Sequence, residues 1–235
     1  MREIFITEEQ HKYLLVKNSL EEMAYPVNFN MEELKNINSF VERVKYCNSR
    51  LKYLGQGSSR RVYMVDDEKC LKMAKNRKGI AQNIEEINLG NDIYAGSCFA
   101  KVYDYDQNGL FVEMELARKA KESDFERLAG IPFDCYCDLI VRTAINYLPN
   151  NCQSRNWVTS SMEDTYNYVM DNIDNFEFIN QVIEYMYNFQ VKAYGDLQRI
   201  SSYGVVKRNG QEELVIVDFG LTEDVFNNYY RKSRE

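Results

Sequence analysis

The apolar pattern of this chain changes period at Leu51, and that change constrains the fold more than any other feature. Short strand-like runs joined by tight turns replace the helical spacing seen before it. A helical run follows, and then two strands flank Asp106–Gly109, where an Asn-Gly pair readily takes positive φ. The order strand, strand, strand, helix, strand, strand predicts a small antiparallel sheet with one helix. The predicted strands are residues 52–54, 61–66, 69–74, 99–104 and 110–116, and the helix is 80–92.

Helical patterns dominate on both sides of this unit. The N-terminal part predicts amphipathic helices over Thr7–Tyr25 and Met31–Lys52, separated by Pro26, with Asn30 as the cap of the second. Beyond Arg118 we predict helices near 121–129, 133–147, 161–172 and 174–193, a loop over 149–157, and strands at 204–207 and 213–217. The sequence therefore predicts an α+β protein with three parts: a helical extension (1–50), a β-rich lobe (51–117) and a mainly helical lobe (118–235).

Composition excludes several classes of function. With 29 Lys and Arg against 36 Asp and Glu, the net charge of -7 offers no bulk attraction for nucleic acid or an anionic membrane. The sequence shows neither a membrane span nor a secretory signal, so we predict a cytoplasmic protein with neither nucleic acid nor membrane as partner. The six cysteines lack zinc-site spacing and are expected to be reduced. Since His11 is the sole histidine, imidazole catalysis is not expected.

The first candidate site combines a glycine-rich turn with a lysine. Gly55 and Gly57 lie between two predicted strands, where glycines allow backbone N–H groups to approach a phosphate, although a simple hairpin would show the same pattern. Lys72 lies among apolar neighbours on the strand after that turn, so it needs a carboxylate or an anion. Glu85 and Glu86 on the next helix are both candidates. We expect Ile80, Ile84 and Ile87 to form that helix's buried stripe.

Two aspartates complete the candidate chemistry. Asp218 follows the apolar strand Leu214–Val217 and begins an Asp-Phe-Gly run, where its carboxylate could hold Mg²⁺. Asp196 follows a long helix in the run Tyr194-Gly195-Asp196-Leu197, and could accept the proton of an attacking hydroxyl. A surface residue that ends a helix would explain Asp196 equally well.

Taken in order, these motifs over residues 51–222 resemble the protein kinase signature set. The resemblance implies a bilobal fold with ATP and Mg²⁺ between the lobes. It implies that Gly55, Gly57 and Val62 cover the nucleotide, and that Lys72, paired with Glu86 or Glu85, binds its phosphates. By the same resemblance, Met114 lies at the back of the adenine pocket, with Glu115, Leu116 and Ala117 as the hinge. Asp196 matches the catalytic aspartate and Asp218 the metal-binding one.

Several positions depart from that pattern. Arg60 stands at the third glycine of the turn, and Tyr194 and Gly195 replace the histidine and arginine that precede the catalytic aspartate. Ser201 falls where a second metal ligand is expected, and its hydroxyl is weaker than an amide carbonyl. Gln198 replaces a lysine that stabilises the transferred group, and Arg199 is a possible substitute. The chain ends 15 residues after Gly220, so the helical lobe is expected to be truncated, as in minimal kinase-like proteins of bacteriophages.

Three functions follow as hypotheses. The first is transfer of a phosphoryl group from Mg·ATP to a hydroxyl, most simply on a protein substrate. The second is a pseudokinase that binds nucleotide and engages a regulatory or host protein. The third is a small-molecule kinase of the aminoglycoside phosphotransferase type, whose cationic acceptor would meet Glu163, Asp164, Asp171 and Asp174; a solvated helix face also explains those four charges.

Overall fold

The computed structural model describes residues 26, 28–92, 97–147, 159–189, 191 and 194–230. Within these residues the fold is α+β, as predicted: two short helices lead into an antiparallel sheet, and a mainly helical part follows. The predicted helix Thr7–Tyr25 and the predicted loop 149–157 lie outside the described residues.

The first lobe is built on a five-stranded antiparallel sheet of described residues, in the order β1-β2-β3-β5-β4. The turns 57–59 and 65–68 are short, so consecutive strands pair directly. The strands are β1 (Lys52–Gln56), β2 (Arg60–Met64), β3 (Lys69–Ala74), β4 (Val102–Tyr105) and β5 (Phe111–Glu115).

The two faces of this sheet pack against different partners. On one face Tyr63, Leu71, Met73 and Phe111 form a core with the N-terminal helices. On the other face Cys70, Val112 and Met114 belong to the core of the helical lobe. Because side chains alternate along a strand, the second face also carries Arg60 and Lys72.

Over Met31–Lys52, where one helix was predicted, the structure contains two. They are α1 (Met31–Lys35) and α2 (Phe40–Arg50). Asn30 caps α1 as predicted, since its side chain accepts from the N–H groups of Glu32 and Glu33. The continuous helix predicted over Met31–Lys52 is wrong because Asn36 ends α1 and Ser39 caps a new helix.

The helix of the first lobe, α3 (Arg77–Gly90), begins after its cap Asn76. Its predicted isoleucine stripe is wrong in part: Ile87 is buried, but Ile84 is 37% exposed and Ile80 only half-buried. The buried face is largely polar and includes Gln82, Asn83 and Glu86. This orientation of α3 places the Glu86 carboxylate against Arg60 and Lys72 of the sheet.

The second lobe consists of helices and a small three-stranded sheet that pack around a common core. Its helices are α4 (Glu122–Asp124), which continues as a π-turn over Phe125–Ala129, α5 (Phe133–Tyr147), α6 (Ser160–Asp171) and α7 (Glu177–Asn188). The sheet consists of β6 (Arg118–Lys119), β7 (Tyr203–Arg208) and β8 (Gln211–Ile216), of which β6 was not predicted. A last turn, α8 (Glu223–Val225), leads into a π-turn over Phe226–Tyr230. No helix among the described residues has the length and apolar character needed to cross a bilayer.

Candidate functional site between the lobes

A buried ion pair connects the sheet to α3. Lys72 Nζ lies 3.0 Å from both Glu86 Oε1 and Glu86 Oε2. The glutamate is fully buried, and the lysine side chain is only 10% exposed. Of the two candidate partners, the structure therefore places Glu86 at Lys72. Glu85 is half-buried, and burial, with the nearby charge of Asp224, raises its pKa.

The same lysine contacts the segment that carries Asp218. Its Nζ donates to the carbonyl oxygen of Val217, directly before that aspartate, at 2.5 Å. Burial alone would raise the pKa of Asp218, but the charges of Arg60 and Lys72 hold it below its ordinary value. Lys72 on β3 and Asp218 after β8 therefore lie close enough for the charge of one to act on the other.

Arg60 is the residue of this site to which the sequence analysis gave no role. Its Nη1 lies 2.8 Å from Glu86 Oε2, and its Nη2 lies 2.5 Å from Asp218 Oδ1. The register explains this, because Val62 pairs with Lys72 and Arg60 lies two residues away on the same face of β2. The available signal was the arginine standing where the resemblance expects a third glycine.

The remaining segment of the site carries Asp196. It lies in a 3₁₀ turn, Tyr194–Gln198, and pairs with Arg199 at 2.9 Å. Burial and the charge of Asp218 raise the pKa of Asp196, while Arg199 opposes the shift. The charge of one aspartate therefore acts on the other, as expected for neighbouring carboxylates at one site.

The glycine-rich turn lies beside this group. The N–H of Gly57 donates to the carbonyl oxygen of Arg60 at 3.0 Å, and Lys75 Nζ donates to the Gly57 carbonyl oxygen at 3.0 Å. A Cβ added at Gly55 or Gly57 would meet no protein atom within 4 Å. Packing within the protein therefore does not require glycine at these two positions, whereas close approach of a ligand to the backbone would.

The predicted adenine end lies at the start of the connection to the helical lobe. Met114 is 1% exposed and faces the same side of the sheet as Cys70 and Lys72. The N–H of Leu116 donates to the backbone carbonyl oxygen of Glu68 at 2.7 Å, while the Glu115 carboxylate is bound by Arg208 at 2.5 Å. Any contact of Glu115 with a base would therefore come from its backbone. Val62 packs partly buried against the main core.

The donors expected for Mg²⁺ do not form a ready metal site. One oxygen of Asp218 is taken by Arg60, and Ser201 is exposed, with no side-chain hydrogen bond in the described part of the chain. Among the described residues no group of three His, Cys, Asp or Glu side chains could hold a metal ion. Because Arg60 engages one oxygen of Asp218, the two-ligand arrangement that the resemblance implied is not preformed.

Phe219 anchors the Asp-Phe-Gly segment in the core. It is 5% exposed and its ring centroid lies 4.6 Å from that of Phe99, which in turn contacts Tyr185 at 4.8 Å. The N–H of Ala100 also donates to the carbonyl oxygen of Ile216. These contacts fix the position of the strand end from which Asp218 projects.

Comparison with known proteins gives little beyond these observations. No protein-family model matches the sequence. No curated protein matches it either. A solved structure similar to the chain is the streptomycin–ATP–APH(2″)-IIa ternary complex, with a TM-score of 0.34 and 14% identity over 78% of this chain and 71% of that one. The proposals below therefore rest on the residues of this chain.

Proposed function

We propose that the chain binds ATP between residues 51–117 and 118–235 and transfers its terminal phosphoryl group to a hydroxyl. The observation that carries the proposal is the buried Lys72–Glu86 pair, joined through Val217 to the segment of Asp218. A buried ion pair alone is weak evidence for function. Here it lies at the junction of two lobes, beside a glycine turn with open backbone and a second aspartate.

Positioning would supply most of the catalysis. Lys72 has three N–H donors, and its contacts are the two Glu86 oxygens and the Val217 carbonyl. A phosphate oxygen would compete with Val217 for one donor while Glu86 keeps the lysine aligned. The lysine is thus held for an anion without losing its carboxylate partner.

Asp196 is the proposed acceptor of the hydroxyl proton. Its side chain is 22% exposed, so a substrate hydroxyl can reach it from solvent. The acceptor oxygen forms its bond to the γ-phosphorus as the bond to the β,γ-bridging oxygen breaks, the proton passes to the Asp196 carboxylate, and ADP leaves. We propose a protein hydroxyl as the acceptor.

A nucleotide-binding interaction module is the second candidate. It is favoured by the contact of Arg60 with Asp218 and by the exposed position of Ser201, since both weaken the metal arrangement that transfer usually needs. Such a pseudokinase would bind ATP and present its surface to a protein partner without turnover.

A small-molecule kinase is a third candidate, favoured by charge on α6 and the turn that follows. Asp164, Asp171 and Asp174 are exposed and could attract a cationic acceptor. Glu163 is already paired with Arg142 at 2.7 Å. The similar APH(2″)-IIa structure contains streptomycin and ATP, which makes aminoglycosides a natural first screen.

Labelled ATP separates these candidates. Purified protein is incubated with γ-labelled ATP and Mg²⁺ or Mn²⁺, with and without a generic protein substrate or an aminoglycoside, and followed by intact mass and thermal stability. Phosphate on protein supports the first candidate, labelled aminoglycoside the third, and stabilisation without transfer the second. If the protein shows neither stabilisation by ATP nor phosphoryl transfer, nucleotide binding is rejected.

Two variants test the assigned roles. Lys72→Met should abolish stabilisation by ATP, while Lys69→Met, on the same strand but the opposite face, should not. Asp196→Asn should stop transfer and leave stabilisation intact. Full transfer by Asp196→Asn would contradict its role as proton acceptor.

A further inference from the structure

The buried arginine of β2 sits between the two carboxylates of the site. Arg60 contacts Glu86 through Nη1 and Asp218 through Nη2, and Nη1 also lies 3.4 Å from the Asn83 side-chain oxygen. Its side chain is 9% exposed, whereas that of Asp218 is 51% exposed. The Asp218 end of the guanidinium therefore borders the space reached from solvent.

The guanidinium is a permanent charge in this position. Burial opposes its charged form, but the charges of Glu86 and Asp218 keep its pKa above the ordinary value for arginine. Arginine is also the side chain whose planar fork suits phosphate oxygens. The guanidinium that contacts the candidate metal ligand Asp218 is therefore a group whose shape and charge suit a phosphate.

Charge balance indicates a role for this arginine. Lys72 and Arg60 supply two positive charges, and Glu86 and Asp218 two negative ones. A triphosphate would add several negative charges, and the incomplete donor set around Asp218 and Ser201 does not offer a ready pair of metal sites to offset them. A fixed cation in addition to Lys72 would help to neutralise the phosphate chain.

We propose that Arg60 is a phosphate-binding residue that takes over charge neutralisation from a metal ion at this site. The proposal rests on the proposed nucleotide binding and assigns it a further residue. An incoming phosphate oxygen would replace Asp218 Oδ1 as the acceptor for Arg60 Nη2, while Glu86 continues to hold Nη1. Nucleotide binding would then persist without a divalent cation.

The alternative role for Arg60 is inhibitory: its side chain would occupy the position that a phosphate needs. If the Arg60–Asp218 contact simply blocked the phosphate position, removing the arginine would strengthen nucleotide binding instead of weakening it. The two roles therefore predict opposite signs for one measurement.

The experiment measures ATP affinity by calorimetry in excess EDTA and in Mg²⁺ for the natural protein and for Arg60→Met, Arg60→Lys and Arg61→Met. Arg61 is the matched control, because it neighbours Arg60 on β2 but lines a surface hollow with Asn48, Leu51, Tyr53 and Gln56. Removal of one charge-assisted contact should weaken ATP binding roughly 10-fold to 100-fold in EDTA. Arg60→Lys should lose less, and Arg61→Met should match the natural protein.

Arg60→Met is expected to fold, because Glu86 still has Lys72 as its counter-ion and the Asp218 carboxylate, which is half exposed, can be solvated by water. Arg60→Lys retains the charge and gives a second comparison if the neutral variant is unstable. Equal or tighter binding of ATP by Arg60→Met in EDTA would overturn the proposal. If the neutral variant is unstable, tighter binding of ATP by Arg60→Lys than by the natural protein would overturn it instead. So would loss of all binding by the natural protein in EDTA while it binds ATP in Mg²⁺.

Inorganic tripolyphosphate distinguishes failure of this inference from failure of the proposed function. Binding of tripolyphosphate in EDTA, reduced by Arg60→Met but without any binding of ATP, would support Arg60 as an anion-binding residue and reject the nucleotide site. If neither ligand binds under any condition, both proposals are wrong.

Discussion

Tyr203 donates a 2.6 Å hydrogen bond from its phenol to the carbonyl oxygen of Leu197, the residue directly after Asp196. The Tyr136 hydroxyl lies 2.6 Å from that of Tyr203, and both rings are essentially buried. Burial raises the pKa of both phenols, so they stay protonated donors. The turn that carries Asp196 is thereby held from within the core, although it lacks the histidine and arginine that the kinase resemblance expects there.

Tyr203→Phe should slow phosphoryl transfer more than it weakens nucleotide binding. The change leaves the Leu197 carbonyl without its donor, which costs about 1–3 kcal/mol of stability and loosens the turn of Asp196. Lys72 and Arg60 lie on the sheet and should be unaffected. Steady-state kinetics should show a fall in kcat with an almost unchanged KM for ATP.

Tyr136→Phe is the matched control for this prediction. It removes only the outer hydroxyl, and Tyr203 keeps its bond to Leu197. We expect a small loss of stability and a normal kcat. Equal effects of the two substitutions on kcat would contradict positioning through Tyr203.

The fall of activity at low pH should report the protonation of the Asp196 carboxylate. Its pKa is raised above 3.8 by burial and by the charge of Asp218, and the carboxylate form is the one that accepts a proton. Activity is therefore full above the pKa and falls as pH drops through it. Because Arg199 lowers this pKa, Arg199→Met should move the acid limb of kcat/KM to higher pH.

Salt provides an internal check on this assignment. Arg199 is 68% exposed, so its effect is screened, and the difference between natural protein and Arg199→Met should shrink at 1 M salt. Arg199→Lys keeps the charge and should leave the limb near its natural place. An acid limb that Arg199→Met does not move would rule out Asp196 as the titrating group.

The strand pattern of the first lobe was readable from sequence for a physical reason. Tight turns at residues 57–59 and 65–68 leave few ways to pair neighbouring strands, so the antiparallel order follows from local chemistry. The proximity of Lys72 and Asp218 does not follow from local chemistry in the same way, because it depends on how the two lobes pack. It was inferred from the resemblance and not from spacing.

The orientation of α3 and the contacts of Arg60 could not be predicted from the sequence. The isoleucine spacing predicted a buried stripe that includes Ile84, but the structure buries the polar face of α3, on which Glu86 pairs with two cations. Arg60 was visible only as a departure from a glycine. Its contacts depend on a residue 158 positions away, and no local pattern carries that information.

Glu86→Gln should destabilise the fold by roughly 3–5 kcal/mol, because it removes the carboxylate shared by two buried cations. Arg60 would keep Asp218 and Lys72 would keep the Val217 carbonyl, but neither contact replaces a buried counter-ion. Urea unfolding at neutral pH measures the change in the free energy of unfolding.

Glu85→Gln tests the neighbouring residue in the same experiment. Burial and Asp224 raise the pKa of Glu85, so its ionised form gains nothing from folding at neutral pH. We expect a change within about 0.5 kcal/mol. If Glu85→Gln were the more damaging substitution, Glu86 would not be the principal partner of the lysine.

Gly220 is required by close packing, so Gly220→Ala should separate the Asp-Phe-Gly segment from α3. A Cβ at Gly220 would lie 2.3 Å from the carbonyl oxygen of Gln82 and 3.0 Å from its Cα. These are backbone atoms in the middle of α3 and cannot rotate away, and the next turn of that helix holds Glu86. Relief of the overlap therefore moves Asp218 away from Arg60, which should cost about 1–3 kcal/mol of stability and weaken ATP binding as well.

Gly195→Ala is the control, because a Cβ there meets no atom within 4 Å and its stability should stay within about 0.5 kcal/mol of the natural protein. Thermal unfolding with and without ATP measures both quantities. Unchanged ATP binding by a destabilised Gly220→Ala protein would show that the nucleotide does not depend on the contact between α3 and the Asp-Phe-Gly segment. Such a result would leave the Lys72–Glu86 pair as the determinant of ATP binding, because that pair does not include Gly220.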